Sequence, residues 1–310
     1  MPFYSYHYCM EIKKISYTSK TRVREVNIAE IVAGGDSSIS FMSENNNNTK
    51  PLFALEIPYF TNRNHPKIIN DYFGNDVSSF EQLFNRAESS DCDIICIYFE
   101  IEEKELETSL SGIFSEIQKI SASSKKPLIL KGAGNKNIDR VFLPKLAEAV
   151  KTPVTIAYAE ESYYEELIPQ VTKNNHSIVL RSPIDINLAK ELNILSIDTG
   201  MDPDKILIDP DMGTLGYGLD YGYSIIEKIR QAAFDGDTML NMPIITFVGQ
   251  ETFKAKEAKS EKFNSNWGNL SQRAIMWEVA TTSAVISAGA NIVVLYHPES
   301  ITTMKELLWI

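Results

Sequence analysis

Cysteine is scarce in this chain: Cys9, Cys92 and Cys96 are the only three in 310 residues. Three thiols cannot form a disulfide framework without leaving one over, and free thiols fit a cytoplasmic setting. The four histidines lie far apart, so no metal-ligand spacing arises. Cys92 and Cys96, at CxxxC spacing, fall in or beside a strand-like run and read as buried structural thiols. Positive charge is also in deficit, with 30 Lys and Arg against 41 Asp and Glu for a net −11. That balance argues against nonspecific nucleic-acid binding, which needs cations to displace phosphate counterions. No window approaches the ~18 apolar residues needed to span a bilayer. The opening MPFYSYHYCMEIKK has neither an apolar stretch of secretory length nor a basic lead-in, so neither a cleaved signal nor a membrane partner is expected. GAGNKN completes only part of a GxGxxG fingerprint, and no Walker lysine–serine ending occurs.

What is present is an ordinary globular balance, 44% apolar and 23% charged, and a repeating order. Strand-like runs recur eight times: PLFALEIPYF, DIICIYFE, PLILKGAG, TPVTIAYAE, HSIVLRSP, ILIDPDMG, PIITFVGQ and IVVLYHP. Helical spacing fills the intervals, at residues 78–89, 104–122, 138–150, 161–173, 186–195, 221–234, 269–288 and 299–308. Strands that are apolar along their whole length are buried on both faces, as parallel strands are. Eight βα units in tandem predict an α/β fold, an eight-stranded parallel β/α (TIM) barrel over 51–310, in preference to an open doubly wound sheet. Residues 1–50 read as an N-terminal extension, with a β-hairpin around Gly34 and Gly35 in IAEIVAGGDSSISFM and a mobile surface turn in SENNNNT.

A barrel gathers its strand-to-helix loops on one rim, where chemistry is placed. That rim carries Glu56, Tyr59, Glu100, Gly132 to Asn135, Glu160, Arg181 to Asn187, Asp209 to Tyr217, Gln250, Glu251 and His297. No nucleophile among them is paired with a base. The richest stretch is ILIDPDMGTLGYGLDYGY, where a strand breaks into a loop holding Gly213, Gly216, Gly218 and Gly222. Four glycines in ten residues after a buried strand suggest close main-chain approach to a ligand, since a simple turn needs one or two. His297, before Pro298, either ends its strand and caps the following helix or meets a ligand. Asp185 and Asp209 are likewise open between helix-cap or Asx-turn roles and function.

From Pro127 to about Pro298 the chain resembles the small subunit of the corrinoid iron–sulfur protein, the family that includes the delta subunit of archaeal acetyl-CoA decarbonylase/synthase. The resemblance rests on RSPIDIN with LAKELNIL, on ILIDP and LGYGLDYGYSIIEKIR, on GDTMLNMPIITFVGQE, on KAKEA, and on the late WG, AIMWE and AGA elements. It implies a β/α barrel paired with a large corrinoid iron–sulfur subunit as a heterodimer, the two holding a corrinoid (cobalamin) at their interface. The corrinoid would take a methyl group from methyltetrahydrofolate, or a tetrahydropterin analogue, through a methyltransferase and give it to acetyl-CoA synthase. The iron–sulfur cluster is expected in the partner, in agreement with three cysteines here, since a four-iron cluster wants four thiolates. No DxHxxG segment occurs, so this subunit is expected to cap the ring without ligating cobalt from below, and to have no catalytic or metal-binding residue of its own.

Mapped onto the rim, the resemblance nominates Ser182, Asp185, Asn187, Asp209, Gly213, Thr214, Leu215, Gly216, Tyr217, Gly218, Gln250, Glu251 and His297 for corrinoid contact. Where the family commonly reads IGGLGYG, this chain reads DMGTLGYG. The added Asp211 carboxylate would disfavour reduced cobalt, bond a corrin amide or face away. A rival reading is a pterin-binding barrel methyltransferase acting on a separate corrinoid protein, with Asp185, Asn187, Asp209 and Gln250 around the pterin. A third is a scaffold that docks partners and touches no ligand.

Overall fold

The structure is a computed structural model that describes residues 18–38, 49–61, 65–106 and 110–308. Cys9, the opening segment and most of SENNNNT lie outside the described residues. A short hairpin, β1 (Val26–Ile28) and β2 (Ile31–Ala33), comes first. Then strand and helix alternate: β3 (Leu52–Pro58), α1 (Lys67–Phe73), α2 (Phe80–Glu88), β4 (Ile94–Tyr98), α3 (Leu110–Ser123), β5 (Leu128–Lys131), α4 (Lys136–Ala149), β6 (Thr155–Ala159), α5 (Tyr164–Lys173), β7 (Ser177–Arg181), α6 (Ile186–Asp198), β8 (Ile206–Asp209) and α7 (Leu219–Phe234). The last third holds β9 (Ile245–Thr246), the short helices α8 (Val248–Thr252) and α9 (Lys256–Lys259), α10 (Leu270–Ala288), β10 (Ile292–Leu295) and α11 (Pro298–Leu308).

Each of the eight apolar runs supplies one strand of a single parallel sheet, in the order β8-β7-β6-β5-β4-β3-β10-β9. A parallel bridge between Ile208 and Ile244 joins the two ends, so the sheet is a nearly closed barrel. Alternation along each strand divides the side chains into two apolar sets. Leu55, Ile57, Ile95, Ile97, Leu130, Ile156, Ile178 and Leu180 face the helix layer. Ala54, Ile94, Cys96, Ile129, Val179, Leu207, Ile292 and Val294 fill the barrel interior. That double burial is why the strands read as unbroken apolar runs.

The hairpin turns at Ala29 and Glu30, with Ala29 at φ 52°, and not at Gly34 and Gly35. Those glycines follow β2 at φ 92° and 91°. A Cβ on Gly34 would stand 2.0 Å from the Arg24 carbonyl oxygen, so the glycine serves a close chain return. Val26, Ile28 and Ala33 join the interior apolar set, closing the barrel beneath the N-terminal ends of its strands. A relay ties this segment down: Asp36 accepts from Asn291 Nδ2 at 2.5 Å, and Asn291 Oδ1 accepts from the buried Arg230. Helices α1, α8 and α9 have no counterpart in the spacing analysis; they are only 7, 5 and 4 residues long, too short for a periodic signal.

Candidate functional site: the barrel mouth and its glycine loop

Strand alternation carries the inward phase to the C-terminal ends of the strands, where apolar residues give way to charge. Ala54 is followed on that phase by Glu56, Ile129 by Lys131, Val179 by Arg181, and Leu207 by Asp209. Lys131 Nζ lies 2.9 and 3.2 Å from the Glu56 carboxylate oxygens and donates to Gln250 Oε1 at 2.8 Å. It also sits 4.9 Å from the Tyr98 ring centre and 4.8 Å from that of Phe247. The Tyr296 hydroxyl bonds Glu56; burial, then the Glu56 charge, push that phenol well above its ordinary range. A cavity of about 160 Å³ opens beside this cluster, lined by Glu56, Tyr98, Tyr296, His65 and Ile69.

A second ion pair completes the far side. Arg181 Nε donates to Asp209 Oδ2 at 2.6 Å, with side-chain exposures of 11% and 1%. The guanidinium carbon lies 3.5 Å from the Tyr158 ring centre and 5.6 Å from that of Phe247. Tyr158 reaches the interior because the β6 register shifts between Ala157 and Ala159, which brings both Ala157 and Tyr158 into the interior set. Behind it, Asp139 accepts from the Ala133 and Gly134 N–H groups at 2.7 and 2.8 Å. Burial pushes the Asp139 carboxyl up to about 6 against those bonds.

The glycine loop after β8 is pinned from beneath. Thr214 is buried, its hydroxyl 3.1 Å from that of Thr281 and 3.4 Å from that of Thr252. Trp277 Nε1 donates to the Leu215 carbonyl at 3.0 Å, and Leu215 N donates to Thr281 Oγ1 at 3.3 Å. Gly213 is packed so closely that a Cβ would meet the Tyr217 carbonyl at 2.0 Å. Gly216 differs: it is exposed at φ 76°, and the nearest atom to an added Cβ is Trp277 Cζ2 at 3.9 Å. Tyr217 beside it is 49% exposed. The loop is thus a fixed crest with one exposed position, Gly216, that lacks a side chain.

The CO dehydrogenase/acetyl-CoA synthase delta subunit family model matches residues 30–309. The chain belongs to that family. It is similar to acetyl-CoA decarbonylase/synthase complex subunit delta of Archaeoglobus fulgidus, 30% identical over 208 residues that cover 65% of this chain and 46% of the relative. The Methanocaldococcus jannaschii protein of the same name is 28% identical over 183 residues, covering 58% and 44%. The chain therefore aligns with less than half the length of these curated relatives. Among solved structures, a dihydropteroate synthase from Xanthomonas albilineans superposes with a TM-score of 0.55 at 13% identity, covering 93% of this chain and 98% of its own. A Yersinia pestis dihydropteroate synthase also reaches 0.55, at 15% identity and coverages of 84% and 92%. Both likenesses establish a TIM-barrel fold.

In this delta-subunit-family barrel the nominated residues separate by position. Asp209 and Gln250 meet in the mouth with Arg181 and Lys131. Gly216 and Tyr217 stand on the crest, whereas Gly213, Thr214 and Leu215 hold it together, and Gly218 precedes α7 in a left-handed conformation. Asp185 caps α6, accepting from Asn187 N and Leu188 N at 2.8 and 3.2 Å, and the Asn187 side chain is exposed. Glu251 pairs with Lys254 at 2.6 Å. Ser182 is buried, and its hydroxyl has no partner among the described residues. His297 is buried against Tyr72, and its Nδ1 accepts from Glu299 N at 3.2 Å in the first turn of α11. Burial pushes its imidazole down to about 4. Asp211 uses its own Oδ1 to accept from Met212 N at 3.0 Å. Sequence reasoning placed Glu56 and Arg181 on the rim without nominating them, and passed over Lys131 and Tyr158. The signal for the three charged residues was the inward phase, two positions beyond a small or aliphatic interior residue.

Proposed function

We propose that this chain is the capping subunit of a heterodimeric corrinoid iron–sulfur methyl carrier in the acetyl-CoA synthase/decarbonylase system. Its barrel rim would cover a corrinoid held by a larger partner, while methyl groups pass from methyltetrahydrofolate or a tetrahydropterin analogue, through a methyltransferase, to acetyl-CoA synthase. Family membership sets the system. The observation that carries the capping role is the crest at Gly216, rigid beneath and bare above, which lets a broad flat ring approach the backbone without meeting a Cβ.

The donor set suits that partner. A corrin is edged with amide side chains, and the rim offers amide, guanidinium and phenol groups rather than a nucleophile paired with a base. When bound, the corrinoid supplies a cobalt centre that carries the methyl group. The chain's own residues position the ring and exclude water, with Gly216 and Tyr217 on the crest and Asp209 and Gln250 held in the mouth. A methyl carrier must meet at least two active sites, so the cap would open for each exchange. Cross-linking the two subunits tests this: loss of methyl transfer is expected, and full turnover in the rigid complex counts against it.

The deciding experiment is a visible absorption spectrum of the chain purified anaerobically with and without its co-expressed larger partner, corrinoid supplied. Corrinoid bands only in the complex are the expected result. A colourless complex together with folate binding by the lone chain would instead support the methyltransferase reading.

A further inference from the structure

The two ion pairs in the barrel mouth leave a particular set of hydrogen-bonding groups over. Glu56 is occupied by Lys131 and by the Tyr296 hydroxyl. Asp209 accepts from Arg181 Nε and from Asp211 N at 3.0 Å. Gln250 turns its Oε1 to Lys131, which leaves the Nε2 hydrogens of that amide without an acceptor among the described residues. Arg181 spends only Nε on Asp209; its Nη1 and Nη2 have no acceptor among the described residues, although the side chain is nearly nine-tenths buried. The principal mouth carboxylates are therefore engaged, while donors remain.

We infer that the mouth binds the uncharged, carbonyl-bearing edge of a ligand, whose oxygens accept from the Nη groups of Arg181 and from Nε2 of Gln250. The guanidinium is set in advance, stacked on Tyr158 and locked by Asp209, so little freedom is lost when an acceptor arrives. Charge selects against a full anion. The cations Lys131 and Arg181 are each matched by a carboxylate, Asp211 adds negative charge near Arg181, and Glu160 and Asp139 add it near Tyr158. A carboxylate ligand would meet that field, whereas a neutral carbonyl takes the same hydrogen bonds without repulsion. Phe247 and Tyr158 supply apolar walls beside the donors.

The carbonyl chemistry is shared by two sources. On the capping reading above, which this inference deepens, it is a peripheral carboxamide of the corrin; a pterin lactam presents the same oxygen. The test uses two variants that keep the internal pairs. Arg181→Lys retains a cation for Asp209 but loses the fork of Nη donors. Gln250→Glu retains an acceptor for Lys131 but replaces the amide donor. Each is measured by titration of cobalamin into the corrinoid-free complex with the large subunit, of cobyrinic acid (the corrin with its amides hydrolysed) into the same complex, and of 6-hydroxymethylpterin into the lone chain. Thermal melts of both variants accompany the titrations.

Losing one such bond corresponds to roughly tenfold weaker binding. The expected result is a cobalamin affinity lowered about tenfold by each variant, and weaker binding of cobyrinic acid than of cobalamin by the wild type. If pterin binds the lone chain and loses affinity in both variants while cobalamin does not, the mouth site stands with a pterin as its ligand, and the capping role of this region falls. If both variants fold as the wild type and neither ligand changes, the mouth site is overturned; retained cobalamin would then leave the crest-capping reading intact. Should Arg181→Lys fail to fold, Gln250→Glu alone decides.

Discussion

Lys131 and Glu56 meet in the barrel mouth from β5 and β3, over the intervening β4, 2.9 Å apart and 75 residues apart in the chain, with side-chain exposures of 1% and 3%. Removing one partner leaves a buried charge alone, which costs about 3–5 kcal/mol, whereas replacing both with apolar residues is often nearly neutral. Lys131→Met should therefore lower the urea unfolding free energy by that amount, and Lys131→Met combined with Glu56→Leu should recover much of it. With Glu56→Leu measured as the second single variant, a double-variant loss equal to the sum of the two single losses would mean that the pair holds no coupled energy.

Two glycines of one loop should behave differently. Gly213→Ala forces a Cβ into the Tyr217 carbonyl and should destabilise the chain by more than ~2 kcal/mol. Gly216→Ala meets open space and carries only its left-handed backbone cost, about 1 kcal/mol. On the capping reading, Gly216→Val lowers corrinoid retention in the complex and leaves the lone barrel folded. Thermal melts and corrinoid content separate the two effects, and unchanged content would move the contact elsewhere on the rim.

Glu278 and His297 pull stability in opposite directions with pH. Burial raises Glu278, which accepts from Tyr296 N and His297 N, from 4.5 to about 7. Its contribution is full below pH 4.5 and is lost as pH rises through about 7, on the order of 3 kcal/mol. Burial lowers His297 from 6.5 to about 4, so its contribution is full above 6.5 and is lost as pH falls through about 4. The two nearly cancel between pH 4.5 and 6.5. Relative to wild type, Glu278→Gln should gain stability as pH rises from about 4 to 7, and His297→Asn should lose it over about the same range. Denaturant midpoints at several pH values check this; variant curves parallel to wild type would sink it.

Trp277 holds the glycine loop through a single indole bond to the Leu215 carbonyl. Trp277→Phe removes that bond, a change of about 1 kcal/mol, and should speed hydrogen exchange of the amides of residues 213–218 by roughly fivefold. Exchange at wild-type rates would show that the Thr214–Thr281 contact suffices.

The strands were legible because burial on both faces writes a continuous apolar run, as in DIICIYFE and IVVLYHP. Longer helices were legible from their spacing, although α7 starts at Leu219 and α10 at Leu270, within two residues of expectation. The hairpin was displaced because Gly34 and Gly35 look like a turn, while the turn itself uses Ala29, a residue that gives no local signal. Asp209 stood out for its place after ILI. Its partner Arg181 became meaningful only when β7 and β8 lay side by side, and Lys131 in PLILKGAG looked like any charge at a strand end. Such pairings depend on which strands become neighbours and in what register, and both are properties of the assembled sheet.

The hairpin beneath the strands has a consequence for assembly. With Val26, Ile28 and Ala33 seated in the lower opening, the barrel formed by the described residues has a floor and opens at its mouth. On the capping reading, a corrinoid shared with another subunit would enter from the same side on which that subunit docks, so ligand exchange and subunit separation would compete for one doorway.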